Sequence, residues 1–325
     1  MGGPPAAVAA TRHAVRAVLA EAPPRSLVLA ACSGGPDSLA LAAALAFEAP
    51  RAGLRGGAVV VDHGLQSGSA TVAGTAAATC THLGLAPVEV LSARVTPSAD
   101  GPEADARTAR YATLDASETV REAALVLLGH TRDDQAEQVL LGLARGSGAR
   151  SLAGMPPRRG RYARPFLGLS RAQTHTTCAA LGLRPWLDPH NADRGYARVR
   201  ARAALIDLEA ALGPGLAAAL ARSADLLRDD ADLLDDLAGT AYRALDDPPP
   251  VAAVAALPSA LRRRVLRHLA LAAGARPGSL TAAHLAALDA LVVDWRGQGA
   301  LDLPGPVVAQ RVDGVLRFGA GTSRR

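Results

Sequence analysis

The chain has 325 residues, of which 49% are hydrophobic and 3% aromatic, and its formal net charge is +5. This length suits two domains, and the sequence predicts neither a membrane span nor a signal peptide. All of the basic charge comes from arginine, which favours a polyanionic partner such as nucleic acid, and three scattered cysteines (Cys32, Cys80 and Cys178) suggest a reducing cytoplasm rather than a disulfide framework.

Residues 26 to about 170 alternate short apolar runs with helix-like segments. Such near-continuous hydrophobicity predicts the strands of a parallel sheet that is covered on both faces. We therefore expect an open, mostly parallel α/β sheet, with ligands bound beyond the carboxyl ends of its strands. The expected strands are Ser26–Ala31, Gly57–Val61, Pro87–Val95, Ala124–Gly129 and Tyr162–Leu167.

The turn after the first strand predicts a phosphate pocket. Its sequence is Ser33-Gly34-Gly35-Pro36-Asp37-Ser38, and a helical segment follows. Adjacent glycines let the backbone approach an anion closely, and the N–H groups of the turn and the helix start favour negative charge. Ser33 and Ser38 add hydroxyl donors, and Asp37 offers a carboxylate to Mg²⁺. A Walker A loop is excluded because the chain contains no lysine.

Two further strand ends carry polar residues. His63 follows the second strand, where it could approach phosphate or serve only the structure of the loop. Asp134 and Glu137 follow the fourth strand and share one helix face, because they are three positions apart. These two carboxylates could hold one ammonium group, or they could simply favour a helix N-terminus through capping and charge.

Arginines cluster before and after the fourth strand. Arg107, Arg110 and Tyr111 would lie near one another on a helix, and a solvated face is the plainer reading of Arg107. A second set could form a phosphate track beside the pocket or a solvated surface. It comprises Arg158, Arg159, Arg161, Arg164, Arg194, Arg198, Arg200 and Arg202, and Arg145 precedes it in a glycine-rich loop.

The pattern changes to helix after about residue 200. We expect a catalytic domain over residues 1–215 and a smaller, mainly helical substrate-binding domain over residues 216–325. Asp246–Pro250 interrupts the helical pattern and is expected to be a linker. Helices are predicted at Ser259–Ala273 and Thr281–Val293, followed by a hairpin at Ala300–Leu303 and Val307–Phe318.

The motifs together resemble the PP-loop ATP pyrophosphatases, and more narrowly the tRNA(Ile)-lysidine synthase family. The resemblance covers residues 26–202 and rests on Ser33–Ser38, Val61–Leu65, Glu103–Tyr111, Gly129–Glu137, Arg145–Met155 and Asp188–Asn191. It implies that ATP and Mg²⁺ adenylate O2 of the wobble cytidine in an isoleucine tRNA with a CAU anticodon. Free L-lysine would then attach at C2 of that base, with release of AMP and pyrophosphate.

The resemblance also implies roles for individual residues. ATP would bind to the turn from Ser33 to Ser38 and to His63, with the metal at Asp37. Lysine would bind to Asp134 and Glu137. Asp37, Arg110 and Arg202 would be catalytic, and tRNA would contact Arg145, Arg194, Arg198 and Arg200.

The sequence departs from the family pattern at two places. Arg198 is followed by Val199, where the family usually has asparagine. The chain also looks like a short form, without the further C-terminal domain of longer members. A homodimer is compatible with the resemblance.

Three alternatives remain at the level of sequence. One is a PP-loop tRNA thiolase, although the iron–sulfur type needs a Cys-x-x-Cys pair that this chain lacks. Another is a non-catalytic RNA-binding protein that retains the fold, which the intact phosphate loop disfavours. The third is a small-molecule ligase, which the arginine runs disfavour.

Overall fold

The computed structural model describes residues 3–64, 68–96, 98, 102–189 and 193–320, except for the side chains of residues 102 and 103. The chain divides into two compact units, Met1–Arg228 and Asp229–Arg325. The sequence placed the domain boundary after residue 215, in a break between two helices. The division between the compact units falls within the second of these helices.

The first unit is built on a six-stranded sheet. Its strands are β1 (Leu27–Ala31), β2 (Arg55–Asp62), β3 (Val88–Ser92), β4 (Leu125–Leu128), β5 (Arg158–Arg159) and β6 (Tyr162–Ala163). They lie in the order β3-β2-β1-β4-β6-β5, and only the pair of β5 and β6 is antiparallel. This arrangement confirms the mostly parallel α/β fold that the apolar runs predict.

The last predicted strand is too long. The strand ends at Ala163, and Pro165–Gly168 forms a 3-10 turn instead of continuing to Leu167. Pro165 has no backbone N–H, so it cannot donate a hydrogen bond to a sheet ladder. The strand therefore ends before the proline, and the 3-10 turn begins at it.

Ten helices are seen among the described residues up to 243. They are α1 (Ala6–Leu19), α2 (Pro36–Glu48), α3 (Ser69–His82), α4 (Pro102–Ala116), α5 (Glu118–Glu122), α6 (Arg132–Ala144), α7 (Ala149–Leu152), α8 (Arg171–Ala180), α9 (Ala197–Leu212) and α10 (Leu216–Arg243). The sequence analysis did not anticipate α1, which buries Val8, Val15 and Leu19. The spacing of these three residues places them along one helix face.

Helices cover both faces of the sheet because side chains alternate along each strand. On β1, Val28 and Ala30 belong to a core shared with α1, α2 and α8. Leu27 and Leu29 belong to a second core, which includes Leu114 of α4 and parts of α5. Thus α2 and α4 pack on opposite faces of the sheet.

The side of the sheet to which the chain adds new strands changes between β1 and β4. After β1 the chain adds β2 and β3 on one side, and it then crosses over to add β4 on the other side. In open parallel sheets, such a switch point leaves a crevice at the carboxyl ends of the two central strands. The phosphate turn follows β1 and the carboxylate helix α6 follows β4, so both lie at this crevice.

The helical stretch predicted from residue 200 to 245 is two helices. Gly213 and Gly215 adopt positive φ angles of 103° and 94°, and Pro214 lies between them. A glycine tolerates this conformation, whereas the helix cannot continue through it. Among the described residues, no single helix is long and apolar enough to cross a membrane, and only α9 and α10, bent by 106°, meet that test as a pair.

The second unit contains helices and a small sheet. These are α11 (Val251–Ala255), α12 (Ser259–Ala272), α13 (Ala282–Val293), β7 (Leu301–Leu303), β8 (Val307–Val312) and β9 (Val315–Ala320). The strands form one antiparallel sheet in chain order, so the predicted hairpin is present and has a third strand. Val254, Leu266, Leu288, Val307 and Leu316 lie in the core of this unit.

The proline-rich segment that was expected to be a linker is part of the second unit. Leu316 N donates to the carbonyl oxygen of Pro249 at 2.9 Å, and Val251 N donates to that of Gly314 at 2.8 Å. Prolines cannot donate a backbone hydrogen bond, but their carbonyl groups can accept one. The segment therefore lies along the hairpin, and the prediction of a linker was wrong.

Strand β2 packs tightly against its neighbours at Gly57, so we expect an alanine there to be more destabilising than an alanine at an open glycine. A Cβ on Gly57 would lie 2.6 Å from the carbonyl oxygen of Pro87 and 2.8 Å from Cδ2 of Leu29. We expect Gly57→Ala to lower the free energy of unfolding by about 1–3 kcal/mol, because the core must shift to accept the methyl group. Urea denaturation followed by circular dichroism measures this change.

Gly74 supplies the matched control. It lies in α3, and a Cβ there would meet no heavy atom within 4 Å. Gly74→Ala should raise the free energy of unfolding by about 0.5–1 kcal/mol, since alanine restricts the unfolded chain. Equal stabilities for the two variants would contradict the packing argument.

Candidate active site

The phosphate turn is held in shape by its own residues. Gly34 has a φ angle of +83°, and Gly35 precedes Pro36, the first residue of α2. The hydroxyl of Ser38 accepts from the N–H of Ser33 at 3.1 Å and donates to the carbonyl oxygen of Gly35 at 2.9 Å. Ser38 therefore braces the turn, and the N-terminus of α2 is directed at the crevice.

The end of β4 approaches this turn closely. A Cβ on Gly129 would lie 3.1 Å from the backbone carbon and oxygen of Asp37 and 3.2 Å from the nitrogen of Ser38. Only glycine has no atom at that place. The absence of a side chain at residue 129 thus brings the start of α6 beside the phosphate turn.

Asp134 performs two tasks at the start of α6. Its Oδ2 accepts from the N–H of Thr131 at 2.7 Å and from the Thr131 hydroxyl at 2.9 Å, which makes the capping arrangement. Its Oδ1 accepts from Arg171 at 2.7 Å. One oxygen of Asp134 therefore caps α6 while the other holds a cationic group.

Arg171 is the residue that joins the predicted carboxylates, and the sequence analysis missed it. Its Nη2 lies 2.7 Å from Oδ1 of Asp134 and 3.2 Å from Oε1 of Glu137, while its Nε lies 3.9 Å from Oδ2 of Asp37. Its backbone N–H donates to Asp133 at 2.8 Å. A signal was present: the pattern Ser-x-x-Gln from residue 170 to 173 forms a capping box that makes Arg171 the first residue of α8.

Glu137 is buried, with only 1% of its surface exposed. Its Oε1 accepts from Arg202 at 2.8 Å as well as from Arg171, and its Oε2 has no hydrogen-bond partner among the described residues. A buried carboxylate is stable only when opposite charge compensates it. The structure therefore brings together Glu137 and Arg202, which are 65 positions apart in the chain.

Asp37 and Asp134, which both lie within 4 Å of Arg171, differ in acidity. Burial raises the pKa of Asp37, and the hydrogen bond from Thr174 and the charge of Arg171 offset only part of this effect. Burial would also raise the pKa of Asp134, but Arg171 and Thr131 lower it below its ordinary value. Asp134 is therefore held in its ionised form.

Two histidines face the crevice in neutral form. The Nε of Arg110 donates to Nε2 of His63 at 3.3 Å. Burial and then the charge of Arg110 lower the pKa of His63 to about 4. Burial lowers the pKa of His130 to about 3, and Arg164 adds to this effect.

The crevice is large enough for a small-molecule ligand. It has a volume of about 570 Å³ and is lined by residues of the phosphate turn, His63, Arg110, His130, Asp134, Arg171 and Arg202. Sites for cofactors and small substrates commonly measure about 300–1,000 Å³. Among the residues that the structure describes, no group of three His, Cys, Asp or Glu side chains could hold a metal by itself.

The other predicted arginines lie away from this lining. Arg145 and Arg194 are exposed. Arg200 donates to the carbonyl oxygens of residues 194 and 195, both at 2.8 Å, so it holds a loop. Arg198 donates to Gln138 at 3.4 Å. Leu65, His190 and Asn191, which contribute to the family resemblance, lie outside the described residues, as does the side chain of Glu103.

Gln135 is a further residue that the sequence analysis did not single out. Its amide donates to the carbonyl oxygen of Met155 at 3.1 Å and accepts from the N–H of Met155 at 2.7 Å. A Cβ on Gly154 would lie 2.6 Å from Oε1 of Gln135. Gln135 thus fixes the loop after α7 against α6.

Two family models match the chain. One is described as a PP-loop domain and matches residues 9–209, and the other is described as a TilS substrate binding domain and matches residues 250–317. Together the two matches cover both halves of the sequence.

Proteins named tRNA(Ile)-lysidine synthase are similar over nearly the whole chain. The protein of Thermobifida fusca is 58% identical over 97% of this chain and 98% of its own length. That of Streptomyces coelicolor is 55% identical over 90% of this chain and 85% of its own length. That of Leifsonia xyli is 54% identical, with 91% and 90% covered.

A solved structure shares the fold at lower identity. The U34-tRNA thiolase NcsA from Methanococcus maripaludis, with its 4Fe-4S cluster, superposes with a TM-score of 0.58 at 19% identity, over 68% of this chain and 80% of that chain. At this identity the similarity shows a shared fold and nothing more.

Because His63 and His130 are neutral in the folded protein, we expect the free energy of unfolding to depend on pH. The folded-state pKa values of His63 and His130 lie below the ordinary value, so the unfolded chain binds protons more readily as the pH falls from about 6.5 toward 4. Acidification in this window should lower the free energy of unfolding by up to about 2 kcal/mol for each histidine. Denaturation at pH 7 and pH 4.5 measures this loss.

A double variant, His63→Gln with His130→Gln, should lose less stability than the wild type between these two pH values. His13→Gln is the control, because His13 is exposed on α1 and outside the crevice. It should keep the pH dependence of the wild type. A double variant whose stability falls as steeply as that of the wild type would contradict the assignment.

Proposed function

The chain belongs to the tRNA(Ile)-lysidine synthase family, and from that premise we propose how its residues carry out ATP-dependent lysidine formation. The observation that supports the proposal most is the meeting of two sites at one crevice. The phosphate turn follows β1, the carboxylates follow β4, and Gly129 brings them into contact. ATP and an amine can therefore act on one base.

The phosphates of ATP would bind to the turn from Ser33 to Ser38. The N–H groups of the turn and of the start of α2 would compensate their charge. Asp37 suits a Mg²⁺ site, because this ion commonly binds one or two carboxylates and takes its other ligands from phosphate and water. When bound, Mg²⁺ supplies positive charge beside the polyphosphate.

The first step is adenylation of the wobble cytidine. O2 of the base attacks the α-phosphorus of ATP, the new O–P bond forms, and the bond to the β-phosphate breaks with release of pyrophosphate. Negative charge develops on the α-phosphate during this exchange, and fixed cations near it lower the barrier. Arg110 and Arg202 both line the crevice and are the proposed source of that charge.

The second step joins lysine to the activated base. The ε-ammonium group gives a proton to one of the neighbouring carboxylates, and the neutral amine then attacks C2. The bond between C2 and O2 breaks, and AMP leaves with the oxygen. Asp134 and Glu137 are proposed to bind the ammonium form, because both carboxylates already hold one nitrogen of Arg171. Lysine would replace this guanidinium nitrogen, and the second oxygen of Glu137 could accept a further hydrogen bond.

The remaining roles are also proposals. Arg145, Arg194 and Arg198 would contact tRNA, and Arg200 would support this surface by holding the loop at residues 194 and 195. Residues 216–325 would bind tRNA as a separate domain, in agreement with the family model that matches residues 250–317. A homodimer and a cytoplasmic location remain predictions.

The thiolase alternative has less support. The thiolase with the shared fold is 19% identical, whereas the three lysidine synthases described above are 54–58% identical. Cys32, Cys80 and Cys178 are all buried and free, and no two of them form a Cys-x-x-Cys pair. A non-catalytic role is disfavoured by the ordered phosphate turn and by the charged network around Arg171.

The proposed activity predicts incorporation of lysine into tRNA. Purified protein with ATP, Mg²⁺, labelled lysine and tRNA(Ile) with a CAU anticodon should give labelled tRNA, AMP and pyrophosphate. The methionine tRNA with the same anticodon is the control and should remain unlabelled. Transfer of sulfur in place of lysine, or no product with active tRNA, would overturn the proposal.

Two conservative variants should separate the two steps. Asp37→Asn should slow adenylation at least tenfold at every lysine concentration, because it removes the proposed metal ligand. Glu137→Gln should raise the KM for lysine at least tenfold and change the rate of adenylation less, because it weakens binding of the ammonium group. Single-turnover release of pyrophosphate measures the first step, and lysine incorporation measures both.

The pair of variants also provides the control for folding. Each substitution preserves the size of the side chain, and thermal unfolding reports any general loss of structure. If Glu137→Gln slowed adenylation and lysine use equally at saturating lysine, Glu137 would not be a lysine-binding residue. If Asp37→Asn adenylated tRNA at the wild-type rate, the metal role of Asp37 would be wrong.

A further inference from the structure

Three arginines lie together beside the crevice, and none of them has a carboxylate partner in the described part of the chain. We call Arg107, Arg110 and Arg164 the arginine cluster. Arg164 is only 5% exposed, and the other two are partly buried. Among the residues that the structure describes, no carboxylate oxygen lies within 4.0 Å of a side-chain nitrogen of these three arginines.

The contacts of the cluster are with neutral groups. Arg110 donates to His63 at 3.3 Å. Arg164 donates to the carbonyl oxygen of Pro156 at 2.8 Å and to the hydroxyl of Tyr111 at 3.3 Å, and Arg107 lies over the Tyr111 ring, 5.1 Å from its centre. These contacts position the guanidinium groups but do not neutralise them.

Uncompensated charge in a partly buried site is unfavourable unless an anion binds there. Burial lowers the pKa of Arg110, and the charges of Arg107 and Arg198 lower it further. The pKa of Arg107 is lowered by burial and then by Arg198, Arg164 and Arg159. The side chain of Arg164 also has a buried Nε without a hydrogen-bond partner in the described structure.

We propose that the arginine cluster is a second anion site, which binds a phosphodiester group of the RNA substrate beside the cytidine that is modified. The inference rests on the proposed function and extends it to Arg107, which the sequence analysis interpreted as a solvated face, and to Arg164, which it left as part of either a phosphate track or a solvated surface. Arg110 lines the crevice, whereas Arg107 and Arg164 are absent from its lining. A nucleotide whose base lies in the crevice would thus place its backbone against the cluster.

The position of the cluster favours RNA over the polyphosphate of ATP. The phosphate turn leads into α2, which packs on one face of the sheet. Arg107 and Arg110 are on α4, which packs on the other face, together with Tyr162. The polyphosphate of ATP already has the backbone donors of the turn, and Arg110 is the member of the cluster proposed to act on the α-phosphate. Arg107 and Arg164 are therefore the members that are available to a different phosphate.

The test compares Arg107→Gln with Arg121→Gln. Both variants lose one positive charge, but Arg121 lies on α5 in an exposed pair with Glu118. Filter binding of tRNA(Ile) without ATP, at several salt concentrations, measures affinity, and steady-state kinetics measures the KM for ATP. Arg107→Lys keeps the charge and is the conservative variant.

Arg107→Gln should weaken tRNA binding by about five- to twentyfold. Its slope of log affinity against log salt should be smaller by about 0.7–0.9, as expected for the loss of one phosphate contact. The KM for ATP should stay within about twofold of the wild type. Arg107→Lys should restore the salt slope, and Arg121→Gln should match the wild type in both assays.

Two results would overturn the inference. Unchanged tRNA affinity and salt slope in Arg107→Gln would show that the cluster binds no RNA phosphate. A raised KM for ATP with unchanged tRNA affinity would assign the cluster to the polyphosphate instead. Wild-type enzyme assayed in parallel separates the hypotheses, since failure of the proposed function appears as absence of lysidine in the wild type itself.

Discussion

The organisation of the active site depends on charge compensation by Arg171. Three carboxylates, Asp37, Asp134 and Glu137, converge on a crevice where water is partly excluded, and carboxylates so close together would repel one another. Arg171 reaches all three, and Arg202 supports Glu137 from α9. This network connects α2, α6, α8 and α9 at the switch point of the sheet, so the phosphate turn and the carboxylate helix keep their relative positions.

Different groups in and beside this crevice suit the different substrates that we propose. Backbone donors at the start of α2 suit a polyphosphate, and the carboxylates near Arg171 suit an ammonium group. The arginine cluster on the α4 side suits an RNA phosphate. Two anionic ligands and one cationic ligand can thus approach one base through different groups of the crevice. His63 and His130 are neutral between these regions and do not disturb the separation.

Local patterns predicted much of this arrangement. The apolar runs indicated the parallel sheet, the adjacent glycines Gly34 and Gly35 indicated the tight turn between β1 and α2, and the spacing of Asp134 and Glu137 indicated a shared helix face. Each of these signals lies within a few neighbouring residues. Helix α1 carried a local signal, the spacing of Val8, Val15 and Leu19 along one face, which the sequence analysis did not use. The role of Gln135 escaped prediction because it depends on packing against a distant segment. The linker prediction failed for the same reason, since prolines that break a helix also paired with a distant hairpin.

The sequence by itself determined the chemistry that each segment offers: a turn for phosphate, a capped helix with two carboxylates, and a chain rich in arginine. Only the tertiary structure decided which arginine meets which carboxylate. Arg171 is 134 positions from Asp37, while Arg202 is 65 positions from Glu137. Among many chemically equivalent arginines, the choice of partner follows from which helices the sheet brings together, and no local pattern contains that information.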